Sequence, residues 1–116
     1  MNYKMVYEIV ATEDFERQLR SLNKKYSSIP NDYARFLEYL LKNPKMGDKL
    51  GNNTRKVRMA IASKNKGKRG GARVITYNVL INIENTKIYL LTIYEKGEKE
   101  NISGKEIESL KRRNGL

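Results

Sequence analysis

The basic side chains of one segment have the clearest chemical potential in this sequence. Residues 42 to 73 contain eleven Lys and Arg and a single acid, Asp48, which gives this segment a net charge of +10. The whole chain of 116 residues has a net charge of +11, so nearly all the excess charge is clustered. Clustered Lys and Arg bind phosphates and release their counterions, whereas charge that serves solubility is normally dispersed. The pattern predicts a nucleic-acid-binding surface, with a solvated loop that has no partner as the alternative.

The absence of histidine and cysteine narrows the chemistry. It excludes disulfides, thiol nucleophiles, histidine general bases and zinc sites built from thiolates or imidazoles. We expect no metal and no cofactor, so any catalysis must use Lys, Arg, Asp, Glu, Tyr, Ser or backbone groups. No apolar run reaches the roughly 20 residues of a membrane-spanning helix, and Glu8 interrupts the short apolar N-terminal run that a secretory signal would need. We therefore expect a cytoplasmic protein with no membrane partner.

The first half of the chain has the patterns of one strand and two helices. Alternation of apolar residues over residues 3 to 11 predicts a strand. Thr12 is a suitable N-cap for a helix that ends near Lys25. A second helix should begin at Pro30 and end before Asn43, because Asn43 precedes a proline. Both helices are amphipathic and a short turn joins them, which predicts an antiparallel pair.

The second half has the patterns of three strands. Residues 45 to 53 read as a polar loop. Alternation predicts strands over residues 56 to 62 and 72 to 83, with a tight turn at residues 84 to 86. The nearly continuous apolar run from 87 to 94 predicts a strand that is buried on both faces in the middle of a sheet.

A final helix completes the predicted fold. Ser103 is a good N-cap, Glu106 has the capping-box position, and the helix should continue to Lys111. Because the connections between the last three strands are short, we expect antiparallel hairpins. We predict a single α+β domain over residues 1–116, with an antiparallel sheet of about four strands and a short C-terminal helix. The two N-terminal helices should pack on one face of the sheet through Phe15, Leu19, Phe36 and Leu40.

The basic turn over residues 63 to 71 does not match a known phosphate-binding loop. It lacks the Gly-Lys-Ser/Thr ending of a Walker A loop. Gly67 and Gly70 have the GXXG spacing of a KH domain, but that loop joins two helices, whereas this turn joins two predicted strands. Positive φ in a hairpin explains Gly70 and Gly71. The basic residues of the turn are therefore the candidate phosphate-positioning groups, namely Lys64, Lys66, Lys68 and Arg69.

Three segments of the second half resemble a known family. They are Lys-Val-Arg-Met-Ala (residues 56 to 60), Gly-Gly-Ala-Arg-Val-Ile-Thr-Tyr (70 to 77) and Ile-Tyr-Leu-Leu-Thr-Ile-Tyr-Glu-Lys (88 to 96). Together with the order of the elements, they make the chain resemble the RelE/HigB-like branch of the RelE/ParE toxin superfamily. The resemblance implies a RelE-like fold. It also implies a small basic toxin of a bacterial type II toxin–antitoxin system, of the kind that cuts messenger RNA on the ribosome and thereby inhibits translation.

The resemblance also implies roles for individual residues. RelE-like toxins have basic residues on the strand that here contains Lys56 and Arg58, and an arginine at the start of the next strand. They have further basic or aromatic groups at the end of the last strand. The implied catalytic residues are therefore Lys56, Arg58, Arg73, Tyr94 and Lys96. Lys99 joins Lys64, Lys66, Lys68 and Arg69 as a candidate RNA-binding residue. Because Arg73 has the same parity as Ile75, which should face the core, we expect a bulge at Gly70 and Gly71 that turns Arg73 outward.

The implied reaction needs no metal. The 2′-hydroxyl of the substrate attacks the adjacent phosphorus and gives a 2′,3′-cyclic phosphate and a free 5′-hydroxyl. Arginine suits such a site because its planar fork can bind two phosphate oxygens as their charge develops. A lysine crowded by other cations could act as a base, and a tyrosine could stack on an unpaired base. The chain lacks the histidine of some relatives and a clear tyrosine in the C-terminal helix, so the general acid and general base stay open.

The resemblance implies three partners. These are an antitoxin, expected to be a helix-turn-helix protein from an adjacent gene, the ribosome and messenger RNA. Two other functions stay open. One is a non-enzymatic ParE-like inhibitor of DNA gyrase, and the other is a plain RNA-binding module. ParE-like toxins share the fold but lack the basic and aromatic set, so the presence of that set here favours the enzyme.

Overall fold

The computed structural model describes residues 4 to 64, 70 to 99 and 101 to 116. These residues form an α+β fold with three helices around a five-stranded sheet. None of the described helices is long and apolar enough to cross a membrane. The elements are β1 (Val6–Ala11), α1 (Glu13–Lys25), α2 (Ile29–Lys42), β2 (Asp48–Gly51), β3 (Thr54–Met59), a 3₁₀ turn (Ala62–Lys64), β4 (Ala72–Asn82), β5 (Asn85–Glu95) and α3 (Gly104–Arg113).

The three helices begin and end close to the predicted positions. Thr12 Oγ1 accepts a hydrogen bond from the Phe15 N–H at 3.2 Å, which confirms the N-cap of α1. α2 begins one residue before Pro30 and ends where the proline signal predicted. Ser103 Oγ accepts a hydrogen bond from the Glu106 N–H at 3.1 Å and caps α3. This last helix runs two residues beyond its predicted end.

The strands form one mixed sheet in the order β1-β5-β4-β3-β2. Neighbours from β2 to β5 are antiparallel, whereas β1 runs parallel to β5, with Val6 opposite Asn85 and Ala11 opposite Leu90. The sheet therefore differs from the predicted antiparallel sheet in both strand count and direction. The short connections that indicated hairpins join only the strands after α2. α1 and α2 carry the chain from β1 at one edge to β2 at the other, and no hairpin constrains the direction of β1.

The fifth strand, β2, lies in the segment that was predicted to be a loop. All four residues of β2 are exposed, so no alternation of buried apolar residues marks this strand in the sequence. β2 is an edge strand that is held by backbone pairing with β3. Asn52 and Asn53 connect the two strands with φ angles of 49° and 61°. Two consecutive asparagines with positive φ are typical of a type I′ hairpin turn.

The two N-terminal helices pack together on one face of the sheet, as predicted. Ala72 and Val74 of β4 face them, and β5 lies between β1 and β4 in the buried middle of the sheet. This position confirms the prediction from the apolar run of β5. The predicted helix residues Phe15, Phe36 and Leu40 are buried in this core, and Leu19 is partly buried against it.

The C-terminal helix α3 covers the opposite face. Asn114 Nδ2, just after α3, donates a hydrogen bond to Asp14 Oδ2 at 3.0 Å and ties this helix to α1. α3 covers β4 and β5, and the β3 part of the same face stays at the surface, where Arg58 is exposed. The second core under α3 contains Ile75, Leu91, Tyr94, Ile107 and Leu110.

Gly71 is required by the close approach of two chain segments. A Cβ atom on Gly71 would overlap the carbonyl oxygen of Met59 and lie 3.0 Å from the backbone nitrogen of Ile61. Its φ lies outside the left-handed region, so the predicted explanation by positive φ is wrong for Gly71. The glycine instead lets β4 begin directly beside the end of β3.

We predict that Gly71→Ala lowers the free energy of unfolding by about 2 kcal/mol, because the Met59 carbonyl must move to admit the methyl group. The matched control is Gly104→Ala at the start of α3, where a Cβ would meet no atom within 4 Å. That control should leave stability unchanged or raise it by less than about 1 kcal/mol. Urea denaturation followed by circular dichroism measures both changes. Equal stability of Gly71→Ala and the wild type would show that the two segments approach less closely than described.

Candidate nucleic-acid-binding site

The pairing of β3 with β4 places two arginines directly opposite each other. Arg58 of β3 is the partner of Arg73 of β4, and Lys56 is the partner of Ile75. Directly paired residues point to the same face of a sheet. Arg58 is exposed, whereas Arg73 is only 8% exposed. The backbone register therefore sets an outer and an inner guanidinium group side by side.

Arg73 reaches this face without the bulge that was expected at Gly70 and Gly71. The β3–β4 register is continuous from Arg73 to Ile75, and the register shift between β4 and β5 lies farther along, between Ile75 and Thr76. Arg73 does share a face with Ile75. That face is the one under α3, and a cavity opens on it at Arg73. Arg73 can therefore share a face with the core residue Ile75 and still reach the cavity, because the core under α3 does not extend to Arg73.

A cavity of about 560 Å³ opens on this face beside the start of β4. Its only acidic lining residue among the described part of the chain is Asp48, so the cavity has a strong excess of positive charge. A concave site with charge of one sign concentrates counter-ions, and an anion is the ligand that suits it. The basic side chains that line the cavity are Lys56, Arg58, Lys64, Arg73, Lys96 and Lys99.

The inner arginine is in an unusual environment for a cation. Burial is the main cause that lowers the pKa of Arg73, and the positive charge of Arg58 lowers it further. Arg73 Nη1 donates a hydrogen bond to the carbonyl oxygen of Ala72 at 3.2 Å. Arginine stays protonated in proteins, so this guanidinium remains a cation despite its burial. An anion in the cavity would relieve the repulsion between the two arginines.

Tyr94 of β5 lies opposite Arg73 but is buried below the cavity. It is 7% exposed and does not line the cavity. Its hydroxyl has no hydrogen-bond partner among the residues that the structure describes. Burial is the main cause that raises the pKa of Tyr94, so the hydroxyl is protonated at neutral pH. Lys99 Nζ lies 5.6 Å from the centroid of the ring. Stacking of this ring on a base would require the groups that cover it to move.

The chain segment after β5 forms another wall of the cavity. The Lys96 N–H donates a hydrogen bond to the carbonyl oxygen of Gly71 at 3.0 Å, while the Lys96 side chain is exposed. Lys99 Nζ is 2.6 Å from Glu106 Oε2 on α3. The first contact fixes Lys96 beside the start of β4, and the second ties Lys99 to the C-terminal helix.

Glu95 holds Lys64 at the cavity from the other face of the sheet. Its carboxylate is 5% exposed and accepts hydrogen bonds from Lys25 Nζ at 2.8 Å, Lys64 Nζ at 2.9 Å and the Tyr26 hydroxyl at 2.9 Å. Burial alone would raise the pKa of Glu95. The three hydrogen bonds together outweigh burial and lower the pKa to about 2. The Lys64 side chain is 14% exposed and is directed by this carboxylate, so its amine already has an anionic partner.

The structure brings most of the predicted site residues together. Tyr94 lies beneath the cavity rather than in its wall, and the other predicted catalytic residues line the cavity. Lys64 and Lys99 of the predicted RNA-binding set line it as well. The remaining residues of that set lie outside the described residues, namely Lys66, Lys68 and Arg69.

Sequence reasoning missed the contribution of two acids. Asp48 lines the cavity because β2 pairs with β3 and places Asp48 opposite Lys56, and that strand was not predicted. Glu95 lies in one of the three segments that resemble the RelE/HigB-like toxins, but no ion pair was predicted for it. The sequence did contain a signal for this role: Glu95 ends a strand that is buried on both faces, and a buried carboxylate requires a cationic partner.

No protein-family model matches the chain. Within the described ranges, no three Asp, Glu, His or Cys side chains come close enough to form a metal site.

We predict that Glu95 makes stability depend on pH below 4.5. The pKa of Glu95 is about 2 in the folded protein against an ordinary value of 4.5, so the unfolded chain binds the proton more readily. This carboxylate contributes about 3 kcal/mol at neutral pH, and that contribution is lost as the pH falls from 4.5 to 2. Glu95→Gln should lower stability at pH 7 and flatten this loss. Urea denaturation at several pH values measures the effect.

The control for this prediction is Glu84→Gln, which changes an exposed glutamate in the β4–β5 turn. It should retain the wild-type loss of stability at low pH. If Glu95→Gln loses stability on acidification as steeply as Glu84→Gln, the Lys25–Glu95–Lys64 contacts do not stabilise the fold.

Proposed function

We propose that this protein is a metal-independent, ribosome-dependent messenger RNA endoribonuclease that acts in the cytoplasm as the toxin of a type II toxin–antitoxin system. The observation that carries the proposal is the pair Arg58 and Arg73, which the sheet holds side by side in a cavity with six basic lining residues. A phosphodiester is the anion that this arrangement fits best, because two guanidinium groups can bind its non-bridging oxygens together. The resemblance to RelE/HigB-like toxins independently favours RNA as the substrate.

The two arginines would act on the transition state. When the 2′-hydroxyl oxygen attacks phosphorus, negative charge increases on the non-bridging oxygens while the bond to the 5′-oxygen breaks. Fixed cations stabilise this increased charge more than they stabilise the substrate, which lowers the barrier. Arg73 suits this role because its burial weakens the screening by water and strengthens its interaction with a phosphate.

The candidate proton-transfer groups are Lys56, Lys96 and Tyr94. The attacking 2′-hydroxyl must lose a proton, and the departing 5′-oxygen must gain one. Lys56 and Lys96 both line the cavity. Tyr94 has a raised pKa and a protonated hydroxyl, so it is suited to donate a proton rather than to accept one. Its hydroxyl is buried, so it can do so only after the groups that cover it have moved.

Dependence on the ribosome follows from the composition of the site. Without histidine, the chain has no side chain with an ordinary pKa near neutrality that could serve as both acid and base. Catalysis must therefore rely on the alignment of the 2′-oxygen, the phosphorus and the leaving 5′-oxygen. A ribosome holds the messenger RNA in an ordered conformation and reduces the entropy that must be lost to reach this alignment.

We predict that Arg58→Ala and Arg73→Ala each lower the rate of messenger RNA cleavage on translating ribosomes by about a hundredfold or more, because each removes one charge contact from the transition state. The matched control is Arg55→Ala on the same strand, because Arg55 points to the opposite face and does not line the cavity. It should retain cleavage close to that of the wild type. Primer extension on a translated reporter message measures all three variants.

Two outcomes would contradict the proposal. Equal cleavage by folded Arg73→Ala and the wild type would remove Arg73 from the site. Arrest of DNA replication without cleavage of messenger RNA by the wild type would instead identify the protein as a gyrase inhibitor of the ParE-like kind.

We also predict that an antitoxin neutralises the protein. The excess of positive charge at the cavity favours a partner whose contacting segment is acidic, and such a segment would exclude RNA either directly or by holding α3. Co-expression of the adjacent gene should restore growth that expression of this protein alone arrests. Continued arrest in the presence of a stable product of that gene would show that the two proteins are not a pair.

A further inference from the structure

A second, mostly apolar cavity lies between α2 and β3. It has a volume of about 210 Å³. This volume is below that of typical drug-sized ligand sites and suits a single flat ring system. Tyr39 lies at this cavity and is 55% exposed, and it is the one exposed aromatic side chain among the described residues. The apolar lining comes chiefly from Phe36, Tyr39, Met46 and Met59.

Arg58 connects this apolar cavity to the basic cavity. It lines both, and it also lines a third cavity of about 220 Å³ together with Met46 and Lys56. The connection exists because β2 pairs with β3 only as far as Lys56. Beyond that residue β2 does not cover the edge of β3. The basic cavity and the apolar cavity therefore adjoin each other at Arg58, at this uncovered edge of β3.

We propose that the apolar cavity holds a base of the RNA whose neighbouring phosphate lies in the basic cavity. This inference rests on the proposed function. A nucleotide combines an anionic phosphate with a flat ring that has apolar faces, and here a cationic cavity and an apolar cavity share Arg58 as a lining residue. Proteins bind unpaired bases by stacking them on exposed aromatic rings, which is the role that we assign to Tyr39.

The polar groups at the apolar cavity favour a nucleotide over a peptide. Asp32 is buried there, but its carboxylate already accepts hydrogen bonds from the Ala62 N–H and from the Ser28 hydroxyl. The remaining charged lining residues are Arg35 and Arg58. Arginine is a donor that pairs well with the acceptors on a base edge, those of guanine above all.

Binding of two labelled oligonucleotides tests this inference. One is a short 2′-O-methyl RNA of mixed sequence, which cannot be cleaved because its 2′-oxygen is blocked. The other has the same length and backbone but carries abasic positions throughout. Fluorescence anisotropy at low ionic strength gives the affinity of each for the wild type, for Tyr39→Ala, for Tyr39→Trp and for Leu41→Ala. Leu41 is the matched control because it is an exposed apolar residue on α2 outside the cavity.

We expect Tyr39→Ala to weaken binding of the base-containing RNA by about tenfold and to leave binding of the abasic oligonucleotide unchanged. Tyr39→Trp should retain the affinity of the wild type because it keeps an aromatic face. Leu41→Ala should match the wild type with both probes. Thermal denaturation of each variant checks that it is folded at the temperature of the binding measurement.

The contradicting outcomes separate this inference from the proposed function. If the wild type binds both oligonucleotides equally, or if Tyr39→Ala weakens both equally, the apolar cavity does not hold a base, and the proposed function stands. If the wild type binds neither oligonucleotide, the basic cavity does not bind a phosphate backbone, and the proposed function fails together with the inference.

Discussion

The antiparallel pairing of β3 with β4 holds two like charges side by side, and the arrangement of the site depends on this constraint. Arg58 and Arg73 are directly opposite on one face, where like charges on paired strands are destabilising. The backbone pairing of the two strands sets this position. Burial of Arg73 increases the repulsion, because less water screens the charges. Asp48 at the cavity offsets part of this repulsion, and a phosphate between the two groups would make favourable contacts with both.

The rest of the fold supports this pair from both faces of the sheet. Gly71 lets the end of β3 and the start of β4 approach closely, which brings the two arginines to the mouth of the cavity. The core under α3 fills the face only as far as Ile75 and Tyr94, so the cavity begins where that core ends. On the other face, the Glu95 carboxylate draws Lys64 to the cavity wall. The sheet thus has a hydrophobic core on each face and a charged site at one end. Because both faces are packed, nearly every residue of β4 and β5 near the site is buried.

The sequence predicted the elements with a local signal and missed those that depend on pairing. The caps at Thr12 and Ser103 and the apolar stripes of α1 and α2 are local, and they were correct. β2 has no buried residue and is held only by its neighbour, so its pattern is that of a loop. The parallel direction of β1 depends on where two helices carry the chain. At the site, the resemblance predicted the cations that line the cavity. It did not reveal that Tyr94 is covered, because burial by α3 is a property of tertiary packing.

The chemical identity of the ends of the RNA products tests the central claim most directly. A cavity that supplies fixed cations and leaves the attack to the 2′-hydroxyl of the substrate must give one fragment with a 2′,3′-cyclic phosphate and one with a 5′-hydroxyl. Mass spectrometry of the fragments from a reporter message, translated in vitro with the purified protein, identifies both ends. We expect the cyclic phosphate and the 5′-hydroxyl, and their loss when Arg73 is replaced by alanine. Fragments with a 5′-phosphate and a 3′-hydroxyl would contradict it, because water rather than the 2′-hydroxyl would then be the nucleophile.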